Sequence, residues 1–180
     1  YNVPLISYSG EIDAQRDSAE YMMEVLAKEG LKPPHLIGPG MGHKYHPEVI
    51  KEVQAWIEKA VAKGREPYPD KVSLQTRSGR YIYQRWLRLN AVDELWEDAR
   101  IDAEMTGAKT IRVTTVGVKS FELVFYQKPN LAGYKVFIDD QEVQLPEKQG
   151  TIANFTKVWR DDGVAFTWHL DEGGKLLYGD

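Results

Sequence analysis

The chain has 180 residues, 42% of them apolar and 28% charged, with a formal net charge of −4. That composition suits one or two globular domains with enough apolar surface for a core. The acidic balance lacks the clustered Lys and Arg that nucleic acid requires, and no apolar run reaches the roughly 20 residues of a membrane-crossing helix. There is no cysteine, which excludes disulfides, thiol catalysis and cysteine-based zinc sites.

The chain opens at Tyr1 without a signal-like segment and is already apolar at Pro4-Leu5-Ile6. It reads as a chain entered partway through a domain. Val3 to Tyr8 is expected to form a short buried strand. Arg16 to Glu29 is a helix with Ala19, Met22, Met23 and Leu26 on one side, and Gly30 stops it. After Pro33-Pro34, His35 to Gly38 is a second short strand. A helix starts at Pro47 and carries Val49, Ile50, Val53, Trp56, Ile57, Ala60 and Val61 as one apolar stripe, ending at Gly64. A strand–helix–strand–helix order implies parallel pairing through a right-handed crossover.

Arg65 to Asp70 holds two prolines in a polar stretch and reads as a linker. Beyond it the apolar pattern alternates. Lys71 to Arg77, Tyr81 to Leu89, Ala99 to Met105, Thr110 to Val116, Ser120 to Tyr126, Tyr134 to Ile138, Glu142 to Leu145, Phe155 to Trp159 and Val164 to His169 are expected strands. Ala91 to Trp96 is a short helical turn. Turns are expected at Ser78-Gly79-Arg80, Thr106-Gly107, Asp139-Asp140, Asp161-Asp162-Gly163 and Gly173-Gly174. Trp86, Trp96, Phe121, Phe125, Tyr134, Phe137, Trp159, Phe166 and Trp168 suit a sandwich core. The expected organisation is α/β plus all-β: residues 1–66 carrying two parallel strands with helices, and residues 71–180 forming a β-sandwich.

Two loops carry the candidate chemistry. Ser9-Gly10-Glu11-Ile12-Asp13 follows the first strand and Gly38-Pro39-Gly40-Met41-Gly42-His43 follows the second, thirty residues later. Both lie at C-terminal strand ends, where open α/β sheets place their sites. Over residues 3–64 this resembles the C-terminal part of an α/β-hydrolase of the prolyl-oligopeptidase-like family of serine peptidases and esterases. There, a G-x-x-D after the penultimate strand carries the triad acid and a G-H after the last strand carries the base. The resemblance implies that Asp13 and His43 are catalytic, the carboxylate orienting the imidazole and stabilising the imidazolium.

The family's G-x-S-x-G nucleophile elbow does not occur in the chain. Ser7 and Ser9 lie on the wrong strand for it. The resemblance therefore implies a fragment of a serine hydrolase, inactive alone, that in the complete enzyme acts on a peptide or ester substrate. Some hydrolases of the family carry an extra β-domain after the catalytic one.

Plainer readings stand beside this one. Asp13 suits an N-cap of the helix that follows it, and His43 suits an ordinary loop histidine. His43 and His46 lack the H-E-x-x-H or similar spacing of a metal pair, and His46 suits a helix cap or an exposed position; no cofactor or metal is expected. Trp56 is read as core, scattered Arg and Lys as solvated strand faces, and Asn154-Phe155-Thr156 as a chance sequon. The rival function is a non-catalytic module whose β-domain binds a peptide, glycan or protein. No nucleic acid or membrane partner is expected. Burying several large side chains at about 1.5–3 kcal/mol each gives the Val49–Val61 stripe a strong drive to find cover, from the β-domain or a second copy of the chain.

Overall fold

Pro4 has no N–H to give to a ladder, and strand pairing starts later than the apolar run suggests. In the computed structural model, which describes residues 2–126, 131–161 and 163–171, β1 is Ser7–Gly10. It pairs in parallel with β2, His35–Gly38, in the register Ser7↔His35 to Gly10↔Gly38. Between them runs helix α1, Arg16–Lys28. Its end is a complete Schellman motif: Gly30 sits at φ 75°, its N–H donates to Ala27, and Leu31 N–H donates to Leu26. Helix α2, Val49–Lys63, follows β2 and stops at Gly64, whose φ is 68°. It begins two residues after Pro47, a usual scatter for a helix end.

The α/β-hydrolase-like expectation for the fold is not met. The chain is mostly β, 39% strand against 17% helix, with two helices and three sheets among the described residues. The one sheet flanked by helices has two strands of four residues each. Neither helix covers it in the manner of a doubly wound fold, because α1 buries no residue and α2 buries only Val53. Along α2, Ile57 and Val61 remain 46% and 72% exposed. A purely parallel sheet needs both faces covered by several helices, and two short strands offer too little surface for that.

The chain divides into two compact units, Tyr1–Glu66 and Pro67–Asp180. In the second, alternation of apolar and polar side chains builds two five-stranded sheets. One has the order β10 (Gln141–Gln144), β9 (Lys135–Ile138), β7 (Thr110–Val116), β6 (Ala99–Met105), β3 (Lys71–Thr76). The other runs β12 (Phe166–Leu170), β11 (Ile152–Trp159), β8 (Val118–Val124), β5 (Leu87–Val92), β4 (Tyr83–Gln84). All their pairings are antiparallel except β7 with β9. The inward residues of both sheets form one core that includes Val72, Leu89, Ile101, Ile111, Phe121 and Phe155. The Phe121 ring stacks on Phe155 at 5.2 Å and meets the edge of Trp168 at 5.4 Å.

Three local differences from the expected elements have identifiable causes. The expected strand Tyr81 to Leu89 is broken at Arg85, which turns at φ 56°, and the next residue, Trp86, is fully buried with its indole N–H on the Pro69 carbonyl at 2.8 Å. Ala91 to Trp96 is not helical: Ala91 and Val92 complete β5, and Trp96 adopts φ 74°. Trp96 does not join the core either and is 75% exposed. At the β9–β10 hairpin, Asp139 and Asp140 have φ 47° and 64°, as a two-residue turn requires. The Asp139 carboxylate there accepts from Thr115 N–H, Thr115 Oγ1 and Trp168 Nε1 at 2.8, 2.8 and 2.9 Å. Of the expected turns, Gly173-Gly174 and the middle residue of Asp161-Asp162-Gly163 lie outside the described residues.

A charge also enters this unit's interior. Lys157 points inward, its side chain 6% exposed, and bonds Asp93 at 2.8 Å. Its ammonium also lies 4.8 to 5.7 Å from the ring centroids of Phe166, Trp168 and Trp159. A buried cation is tolerated when paired in this way.

Phe121→Ala is expected to lower the stability of the β unit by about 3–5 kcal/mol, whereas Val164→Ala, at a side chain 83% exposed, shifts it by less than about 0.5 kcal/mol. Urea denaturation followed by near-UV circular dichroism distinguishes the two.

Candidate active site

The loops after β1 and β2 come together because a glycine lets them. A Cβ on Gly10 would fall onto the backbone carbonyl oxygens of Gly42 and Met41, so no larger residue fits without moving the second loop. The contact is then sewn by backbone bonds: Glu11 N–H donates to Gly38 at 2.9 Å and Ile12 N–H to Met41 at 3.0 Å. The Glu11 carboxylate adds a bond from Gly40 N–H at 2.7 Å.

Asp13 sits where the first loop turns into α1. One carboxylate oxygen accepts from Gln15 N–H at 2.9 Å, an Asx turn that leads the chain into the helix. The other lies 3.0 Å from His43 Nδ1. Asp13 is not the N-cap of α1, a position held by Gln15 without a side-chain cap bond; it makes the Asx turn with one oxygen and meets the imidazole with the other. A carboxylate can only accept, so Nδ1 carries the proton and the neutral ring keeps its lone pair on Nε2. The Gln15 N–H holds the Asp13 carboxyl below the usual carboxylate range; burial works against this, and the His43 ring adds to the lowering.

His43 is carried on a tight turn in which Lys44 N–H donates to Gly42 at 2.8 Å. Its side chain is 80% exposed while that of Asp13 is 12% exposed. The imidazole therefore has one edge held by the carboxylate and the rest open. A cavity of about 320 Å³ lies beside it, lined by Tyr8, Ser9, Asp13, His43, Lys44 and Tyr45.

Residues not singled out in the sequence hold this loop. The Tyr8 hydroxyl donates to the Lys44 carbonyl at 3.0 Å and accepts from His46 N–H at 2.8 Å, gripping the chain on the C-terminal side of His43. These contacts span 36 and 38 residues, and no local pattern announces them. His46 Nδ1 accepts from Glu48 N–H at 3.2 Å and Val49 N–H at 3.4 Å ahead of α2. Ser9 Oγ lies 2.9 Å from His35 Nε2. Among the described residues no group of three or more His, Asp or Glu is placed to hold a metal ion. No family model, curated protein or solved structure matches the chain.

Gly10→Ala should drive the loops apart and lower the stability of the first unit by about 1–3 kcal/mol, an overpacking cost, measured by chemical denaturation. A second expectation concerns pH. Because the folded-state pKa of Asp13 is depressed, its contribution to stability is present above the unfolded value of about 3.9 and is lost as pH falls through the folded one. The stability advantage of the wild type over Asp13→Asn should shrink as urea denaturation is repeated from pH 7 down to pH 2.

Proposed function

We propose that Asp13 and His43 are the acid and base of a serine hydrolase acting on ester or peptide bonds, with a nucleophilic serine supplied by polypeptide outside these 180 residues. The observation that carries this reading is the 3.0 Å contact between the Asp13 carboxylate and His43 Nδ1, which leaves Nε2 pointed away from the carboxylate on an exposed ring. The Asx turn uses one carboxylate oxygen and does not call for the second.

The chemistry follows from this arrangement. His43 Nε2 takes the proton from a serine hydroxyl as its oxygen bonds to the carbonyl carbon of the substrate. The imidazolium formed is stabilised by Asp13, whose carboxyl resists protonation. Nε2 then returns the proton to the departing alcohol or amine, and the acyl-enzyme is cleared when water repeats the sequence with the same base. Ser9 is not the nucleophile in this scheme: it lacks the G-x-S-x-G elbow, is buried, and its hydroxyl faces His35 and not His43. The 180-residue chain by itself is expected to be inert.

The test uses the reading frame contiguous with Tyr1 together with the chain. The longer protein should react with a fluorophosphonate probe and hydrolyse p-nitrophenyl esters. His43→Ala should abolish both, and Asp13→Asn should lower kcat by about 10⁴-fold, the loss that the wrong imidazole tautomer causes in triad enzymes. Ester turnover by the 180-residue chain that His43→Ala abolishes, or turnover by the longer protein that survives His43→Ala, would defeat the proposal.

A further inference from the structure

Tyr8 and Tyr45 form a pair of rings beside the candidate base. Their centroids lie 4.9 Å apart, with the planes inclined at 47°. Both residues line the cavity of about 320 Å³ that His43 and Asp13 also border. The Tyr8 ring is fixed in place. Its hydroxyl donates to the Lys44 carbonyl and accepts from His46 N–H. Gly38 leaves room for it, since a Cβ there would fall onto the Tyr8 hydroxyl. With that hydroxyl committed to the loop as donor and as acceptor, the ring is what Tyr8 offers to a ligand.

Tyr45 follows His43 by two residues and is 63% exposed. A lone exposed aromatic side chain is ordinary on any protein surface. This one stands against a second, anchored ring, beside a cavity that the candidate base borders. A cavity of roughly 150 Å³ takes up benzene, so about 320 Å³ has room for a phenyl group and its linking atoms. Aromatic rings favour one another at tilted or offset angles, and a third ring entering here meets two.

The chemistry of the pair says which part of a substrate lies here. As the scissile C–O or C–N bond breaks, its electrons stay with the departing oxygen or nitrogen, which takes the proton from His43 Nε2. That atom must come within about 2.6–3.2 Å of the imidazole. The acyl group stays on a serine that these 180 residues do not supply. The departing group is therefore the portion of substrate that this chain meets, through His43 and the surfaces beside it.

We propose that the cavity lined by Tyr8 and Tyr45 is the leaving-group pocket of the hydrolase. It selects esters or amides whose departing alcohol or amine carries an aromatic ring, and Tyr45 is the specificity-determining residue. This inference rests on the serine-hydrolase reading of Asp13 and His43.

Nuclear magnetic resonance of the 180-residue chain, titrated with benzyl alcohol and with methanol as control, tests the pocket directly. Benzyl alcohol should shift the His43 and Tyr45 ring signals saturably, and methanol at the same concentrations should not. Tyr45→Ala should weaken that binding by about threefold to tenfold, the range one ring contact gives, and Tyr45→Phe should retain it. In the longer protein, benzyl esters should be preferred in kcat/KM over methyl esters of the same acid, or benzylamides over methylamides, and Tyr45→Ala should shrink that preference by a similar factor. Each pair yields one acyl-enzyme, so the comparison reads the leaving group alone. The pocket is overturned, with the hydrolase reading left standing, by a lack of saturable shifts or by shifts that Tyr45→Ala leaves intact. His43-dependent turnover without a Tyr45-dependent preference in either series overturns it equally. A lack of His43-dependent turnover overturns the hydrolase reading, and the leaving-group assignment with it.

Discussion

At Gly10 the backbone of one loop rests against the carbonyls of another, and everything at the candidate active site depends on that close approach. Asp13 follows three residues later and His43 lies one residue beyond Gly42 on the opposing loop. The distance between carboxylate and imidazole is therefore set by a backbone contact and not by the reach of two flexible side chains. Short parallel strands in register bring the loops to the same end; the absence of a side chain at Gly10 lets them touch. Tyr8 and Glu11 then clamp the second loop from either side of His43.

Exposure divides the labour within the pair. The carboxylate is the sheltered member, held by a backbone N–H as well as by the imidazole, and stays ionised well into acid. The imidazole is the open member, its side chain 80% exposed. Such a pair can orient and move a proton, yet it cannot form the covalent intermediate of acyl transfer without a nucleophile.

The β unit follows different rules. Its core is built from alternating strands, and polar groups that reach inward are paired at two places: Lys157 with Asp93 and three rings, Asp139 with Thr115 and Trp168. Trp96 lies outside that core, 75% exposed on left-handed backbone.

Most of the order of elements among the described residues was legible in the sequence because periodicity and turn chemistry are local. Gly30 and Gly64 as helix stops, His35–Gly38, Ala99–Met105 and Thr110–Val116 as strands, and Asp139-Asp140 as a hairpin turn could all be read from neighbours in the chain. Asp13 and His43 could be named because each sits in a small-residue loop behind a strand. Their 3.0 Å approach, the grip of Tyr8 and the Glu11–Gly40 bond were decided by tertiary structure, since they join residues 29 to 38 positions apart. So was the balance between classes of structure. An α/β pattern in the first third says which strands pair, but the surface its helices bury is a matter of area, and two four-residue strands provide little of it. For the same reason composition placed Trp96 in the core and the fold placed it outside: burial depends on which way a loop turns, and a left-handed residue at that turn is invisible in a list of aromatic positions.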